Sequence, residues 1–420
     1  MKNFIQKINF EKTYYYTLII FAFTLPLSRA TNSLFIGILI LLLLLQGNYK
    51  KHIHTLKRSP FAVTIFAFIS FTTLSLLWTQ NFEVGLNGKL LYWYWLAIFA
   101  IALNVKQEQI LTIISAFIMG MVVSEILSYG MFFEFWTIKG HGKEYPSPFM
   151  MHIDYSIFLA FTAIILLNRL LSDHYSKKKK WILFFFFLTI TGNLFINEGR
   201  TGQMAFIAGI FATVFIHYRF TLKSVLAASL LVIIIFTSAY TFSDKFQTRI
   251  HAAEHDMNQI TQSKFDSSLG LRFAMYTVAI DILKEYPLLG AGVGDYQNAA
   301  KKALAKNNHN FDHFIVSYIP KYHFHSQYLN VLVQGGIIGL SLLLMVFYRF
   351  FTLPISNPEL KELSLLIVIL FLVGFIPEPL LMKQFTNTLF ILFAGLFLGA
   401  SLQNNPVALK QKQSAKKNRL

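Results

Sequence analysis

Runs of roughly 15–25 apolar residues follow one another along almost the whole chain and are interrupted once, at residues 242–324, by a long polar segment. A backbone immersed in hydrocarbon must satisfy its own N–H and C=O groups, so such runs fold as bilayer-spanning helices. They lie near 13–28, 30–46, 60–78, 88–105, 109–133, 152–171, 181–197, 202–217, 224–241, 325–350, 360–377 and 384–402. Hydrophobic residues make up 55% of the 420, and Phe alone counts 44, more than a soluble domain of this length hides. The expected class is an all-α integral membrane protein with about 12 transmembrane helices. One large helical loop separates the ninth span from the tenth. The organisation expected is spans one to nine over 1–241, a loop domain over 242–324, spans ten to twelve over 325–402 and a basic tail over 403–420.

The net charge of +17 suits nucleic acid by sign alone, but the placement of the charges argues for a membrane instead. With an even number of spans both termini share a side, where the short loops and ends carry 22 Lys and Arg against six in the short loops opposite. The positive-inside rule makes that side cytoplasmic and the 242–324 loop extracytoplasmic, together with 131–151 and 197–201. Lys177 to Lys180 and the tail residues Lys410, Lys412, Lys416, Lys417 and Arg419 then read as anchors to anionic lipid. Lys2, Lys7 and Lys12 lead into apolar sequence with no convincing cleavage site, which reads as a retained first span. The absence of cysteine excludes disulfides, a thiolate nucleophile and a thiolate metal site.

Within the polar segment, Ser243 to Ser263 reads as a polar helix and 269–286 as an amphipathic one, with Leu271, Met275, Val278 and Ile282 on one stripe. Ser267 or Ser268 caps its start and Pro287 ends it. Such a helix is expected on the membrane surface or on the tops of the spans. Arg272 sits in its first turn, where free backbone N–H groups and a guanidinium together suit phosphate. Arg200, in Asn197-Glu198-Gly199-Arg200-Thr201-Gly202, lies at the outer boundary between two spans, with Glu198 as a possible partner. His325 opens the tenth span, three residues before Tyr328; a neutral imidazole there suits a general base, and His323 serves the same role or caps a helix. Arg29 is another outer-boundary cation.

Three other patterns carry less. His251-Ala-Ala-Glu254-His255 fits an inverted zinc-protease motif but has no obvious third ligand, and His309, Asp312 and His313 have helical metal spacing. Gly290-Ala-Gly292-Val-Gly294 follows a helix and lacks the ending of a nucleotide loop, so a flexible connection is expected. The loop Gly140 to Asp154 contains His141, Lys143, Glu144 and two prolines, none of them diagnostic.

The ordered set Arg200-Thr201-Gly202, Gly270-Leu271-Arg272, Pro287-Leu-Leu-Gly290-Ala-Gly292, His325-Ser326-Gln327-Tyr328-Leu329 and Gly335-Gly336-Ile337-Ile338-Gly339 resembles the O-antigen ligase and polymerase superfamily. The resemblance is strongest over 185–350 and implies a GT-C-like membrane glycosyltransferase. It implies transfer of O-antigen polysaccharide from undecaprenyl diphosphate to a sugar hydroxyl of lipid A–core, at the periplasmic face of the bacterial inner membrane. Carried onto this chain, it makes Arg200 and Arg272 the grips on the donor diphosphate and His325 the base, with Arg29, His323 and Tyr328 lining the substrates. Membrane lipids are the other expected partners; no metal, cofactor or nucleic acid is expected. The family pattern more often has Asn where this chain has Ser326.

Two alternatives remain open. An O-antigen polymerase uses the same donor chemistry with a second lipid-linked glycan as acceptor. A flippase or other transporter fits less well, since no internal repeat is visible and the charges gather at the outer boundary. Protein O-oligosaccharyltransferases of the superfamily usually carry a further C-terminal region, which disfavours them.

Overall fold

The structure, a computed structural model, describes residues 9–403 apart from 263, 308 and 310. The expectations for Lys2, Lys7, Ser263 and the basic tail from Lys410 onward lie outside the described residues. Eighteen α-helices follow in order among the described residues. The first seven are α1 (Phe10–Thr24), α2 (Arg29–Gln46), α3 (Tyr49–Lys57), α4 (Pro60–Leu74), α5 (Phe82–Trp93), α6 (Leu96–Asn104) and α7 (Gln107–Phe132). Then come α8 (His152–Leu171), α9 (Lys177–Ile196), α10 (Arg200–Tyr218) and α11 (Leu222–Phe242). The polar segment supplies α12 (Asp244–Thr261), α13 (Ser268–Glu285), α14 (Tyr296–Lys306) and α15 (His313–Tyr318), and α16 (Gln327–Phe351), α17 (Pro358–Gly374) and α18 (Gln384–Gln403) complete the chain as described. The described residues contain no β-strand, only an isolated bridge between Ile138 and His141.

Among the described residues, ten helical segments are long and apolar enough to cross a bilayer, α5 and α6 joining across a short break into one and α4 running on to Leu77. The sequence reading expects twelve. The two others are α1, with 15 residues, and α17, with 17, both shorter than the ~20 residues a straight crossing takes. The helices α8 and α18 are buried almost throughout and form the centre, with α9 and α10 against α8 and α6 against α18. By contrast almost none of α11 is fully buried, as suits a helix turned to lipid.

The amphipathic helix is where the sequence puts it: Ser267 Oγ accepts the Gly270 N–H at 3.1 Å, and the helix stops just before Pro287. Its stripe of Leu271, Met275, Val278 and Ile282 packs on α14, α15 and the top of α16, through Ala299, Ala300, Ile315, Phe324 and Val333. The packing alternative holds for this stripe, while Phe273 and Ile280 on another face of the helix stay exposed.

The Gly290–Gly294 segment is not a flexible connection. Ala291 N–H donates to Val333 O at 2.8 Å and Gly292 N–H to Gln334 O at 3.2 Å, while Ile337 N–H donates to Pro287 O at 2.9 Å. The acceptors are free because Gly336, with φ +61°, breaks the helical ladder inside α16. A Cβ on Gly290 (φ +68°) would lie 2.5 Å from the backbone of Gln334, Gly335 and Gly336. Glycine is required on both sides of this contact.

Candidate active site

The starts of α2, α8, α10, α16 and α18 meet at one end of the bundle, beneath the helical insert. Arg200 is the first residue of α10. The turn that presents it depends on small residues, because a Cβ on Gly199 or Gly202 would lie 2.2 Å from Ser156 of α8. Gly202 N–H donates to Ser156 Oγ at 3.1 Å, which fixes the first turn. The Arg200 guanidinium has no hydrogen-bond or ion-pair partner among the described residues. Glu198 does not pair with it; that carboxylate holds Arg249 of α12. Arg200 lies within electrostatic reach of the cations Arg249 and Arg272 and of the carboxylates Asp256 and Glu198.

Arg272 occupies the first turn of α13. Its Nη1 donates to Ser268 O at 3.2 Å and to Ser268 Oγ at 3.1 Å, and its Nη2 is 3.5 Å from Glu378 Oε1. Its Nε is buried with no hydrogen-bond partner, an unspent donor beside Arg200's unspent guanidinium.

Glu378, absent from the sequence reading, lies at the centre of the site. Its side chain is 1% exposed and gathers His325 Nδ1 at 3.2 Å and Lys383 Nζ at 3.1 Å in addition to Arg272. Flanking Pro377 and Pro379 stiffen its backbone. The loop that carries it is fastened to the start of α16: Gln327 N–H donates to Phe375 O at 2.9 Å, Ser326 Oγ to the same oxygen at 3.1 Å, and Leu381 N–H to Gln327 Oε1 at 2.9 Å. Tyr276 OH on α13 reaches Ile376 O at 3.3 Å. Ser326, the departure from the family pattern, thus helps set the carboxylate beside the histidine. Burial pushes the Glu378 carboxyl up, but the hydrogen bond to His325 and the charges of Lys383 and His325 outweigh it and hold it at about 2. It is therefore ionised at neutral pH.

The two histidines differ. The His325 side chain keeps 22% exposure and faces a carboxylate. His323, with its ring centre 4.8 Å from that of His325, has its Nδ1 buried without a partner. Burial, followed by the neighbouring His325, lowers it to about 4. His323 stays neutral there and is the poorer proton acceptor.

The remaining expected residues are not brought to this centre. Tyr328 OH donates to Leu372 O at 2.7 Å and its ring packs on Phe375, so its hydroxyl is already committed. Arg29 Nε donates to Gln384 Oε1 at 2.5 Å and is exposed, next to Lys383 rather than within the arginine pair. His309 Nε2 is 2.7 Å from Asp281 Oδ2, which occupies it locally. His251 and Glu254 are exposed on α12, 4.0 Å apart. The loop after α7 packs on the insert through Lys245, whose ammonium donates to Lys143 O at 2.9 Å and to Glu144 O.

His323, His325 and Glu378 bring one ligand atom each within 4.8 Å of one another, a spacing that suits a metal ion. Charge argues against it, since Glu378 already neutralises Arg272 and Lys383, and a divalent cation would add to an excess of positive charge. Glu378 and Lys383 had one signal in the sequence: they are ionisable residues between two apolar runs, in a Pro-Glu-Pro turn.

The molecule is thus an all-helical, multi-pass membrane protein with a cationic, histidine-containing site at one end of its bundle. Residues 184–344 match the family described as O-Antigen ligase, which supports the O-antigen ligase/polymerase superfamily, a group of glycosyltransferase-like enzymes, for this chain. The match covers Arg200, Arg272 and His325 and ends before Glu378. The chain is also 27% identical over 245 residues to an uncharacterized protein of Haemophilus influenzae, covering 54% of this chain and 58% of that relative's length.

Proposed function

We propose that the protein is an O-antigen ligase, passing polysaccharide from undecaprenyl diphosphate to a sugar hydroxyl of lipid A–core at the periplasmic face of the inner membrane. The observation that carries this reading is the unpaired Arg200 guanidinium beside Arg272, whose Nε is also unspent. A guanidinium left without a hydrogen-bond or ion-pair partner, close to a second one, suits a diphosphate, which arginine grips through paired hydrogen bonds. Next to them stands His325 on an ionised carboxylate.

In this mechanism the acceptor hydroxyl gives its proton to His325 as its oxygen attacks the anomeric carbon of the donor sugar. The new C–O bond forms opposite the breaking bond to phosphate, so the configuration inverts. Undecaprenyl diphosphate leaves with the electron pair, and Arg200 and Arg272 neutralise the charge that develops on it. No metal enters the mechanism. Both termini lie in the cytoplasm on this reading, and residues 242–324 form the periplasmic domain.

The test is transfer by purified protein with undecaprenyl-diphosphate-linked O-antigen and rough lipopolysaccharide, EDTA present throughout. Wild type is compared with Arg200→Ala, Arg272→Ala and His325→Ala. Transfer by wild type alone supports the ligase. Elongated lipid-linked glycan with untouched lipopolysaccharide makes the protein a polymerase, and no product from folded protein refutes glycosyl transfer.

A further inference from the structure

We propose that Glu378 is the positioning residue for His325, receiving the Nδ1–H and leaving Nε2 as the proton acceptor. The argument starts from the distance of 3.2 Å between His325 Nδ1 and Glu378 Oε1. An ionised carboxylate only accepts hydrogen bonds, so the proton of a neutral imidazole must sit on Nδ1. The basic lone pair is then on Nε2. The same charge stabilises the imidazolium formed once the acceptor hydroxyl has given up its proton.

Glu378 does this without being free to wander. Two prolines flank it, the start of α16 holds its loop by three hydrogen bonds, and Arg272 and Lys383 hold its carboxylate from either side. It lies more than thirty residues beyond the matched segment 184–344. One carboxylate thus ties the proposed base to one of the proposed diphosphate-binding arginines. The groups facing this centre are His323 from the same segment, Arg272 and Tyr276 from α13, Tyr318 from α15, His152 from α8, and Lys383 from the loop itself. Asp154 of α8 lies 4.0 Å behind Lys383.

The catalytic consequence rests on the glycosyl-transfer reading; the pairing of Glu378 with the imidazole does not. The experiment therefore reads both. Diethylpyrocarbonate acylation of His325, followed by mass spectrometry against pH on the full-length protein, gives the midpoint of its titration without any substrate. In Glu378→Gln the loss of the facing charge lowers that midpoint by about 1–3 pH units. Turnover falls roughly 10²–10⁴-fold, more than any change in KM for the donor. Glu378→Asp keeps the charge but withdraws it by about one methylene; it lowers the midpoint by less and slows turnover at least about tenfold. It is the variant to read should Glu378→Gln not fold. A wild-type midpoint and wild-type turnover in a folded variant overturn the assignment. A wild type that transfers nothing refutes glycosyl transfer alone, and the acylation midpoint still decides the pairing.

Discussion

Arg200→Ala separates a structural arginine from a functional one more cleanly than any other substitution in this molecule. A buried arginine that serves the fold has a partner, and deleting it strands that partner at a cost of ~3–5 kcal/mol. Arg200 has none among the described residues: its neighbour Glu198 is paired with Arg249, and the charges around it are mixed, Arg249 and Arg272 on one side of the balance and Asp256 and Glu198 on the other. Truncation breaks no ion pair and loses mainly the packing of the aliphatic stem, so folding stability should change by less than about 1 kcal/mol. The effect on transfer should be large. If the guanidinium makes two charge-assisted hydrogen bonds to the leaving diphosphate, each contributes about 1.5–3 kcal/mol, and their loss lowers kcat/KM roughly 10²–10⁴-fold. The assays are thermal unfolding of the detergent-purified protein by tryptophan fluorescence and initial rates of glycan transfer at several donor concentrations. Arg200→Lys, which keeps the charge without the fork, should recover only part of the rate. A variant that melts several degrees lower yet transfers at the wild-type rate would refute the reasoning, because Arg200 would then serve the fold.

Two further expectations follow from geometry and titration. Gly290→Ala should lower stability by about 2–5 kcal/mol, combining a left-handed backbone penalty with the loss of the Ala291 and Gly292 hydrogen bonds to α16. Gly142→Ala, whose added Cβ would meet only Thr137 Cγ2 at 3.5 Å, should be near neutral in the same melts. Stability should also fall with pH in two windows. His323, lowered from 6.5 to about 4, stays neutral in the fold while the unfolded chain takes up a proton, so its contribution is lost as pH falls from 6.5 to about 4. Glu378, lowered from 4.5 to about 2, contributes fully above 4.5 and loses that contribution as pH falls towards about 2. Denaturant melts across pH 7 to 3 should show His323→Gln flattening the upper window alone; an unchanged slope there would count against the buried neutral imidazole.

Much of the architecture was legible because bilayer-spanning helices and caps have local signatures. The apolar runs mark the helices to within a few residues, and Ser267 and Pro287 bracket α13 as read. What was missed is non-local. No periodicity reveals that Gly336 breaks α16 so that the backbone of Pro287 to Gly292 can dock into the gap, which is why a fitted contact reads as a loose connection. The length of α1 and α17 depends on where packing lets the chain turn, and hydropathy carries no such information. Charge partners were the weakest part of the reading. Glu198 is two residues from Arg200, but its carboxylate goes to Arg249, about fifty residues away in sequence. Tyr328 turns its hydroxyl to Leu372 although it is three residues from His325, because His325 precedes α16 and helical spacing does not relate the two.

On the proposed mechanism, the arrangement of charge around Glu378 bears on how a leaving diphosphate is stabilised by side chains. A leaving diphosphate needs positive charge that is already in place, since cations recruited from water at the moment of bond breaking would incur reorganisation. Holding several cations together in the resting state is itself unfavourable, and a single buried carboxylate answers both demands. Glu378 neutralises part of the charge of Arg272 and Lys383 before substrate arrives, which lets them stay close. It does not contact Arg200, which is left with its full charge for the ligand. On the proposed mechanism Arg272 meets the diphosphate while Nη2 remains on the carboxylate. The same carboxylate then faces the imidazole as it takes a proton, so the positive charge arising on His325 meets an anion already present. Base and leaving-group stabiliser are thereby coupled through one side chain, and substitutions at Glu378 and Arg272 should be non-additive in kcat.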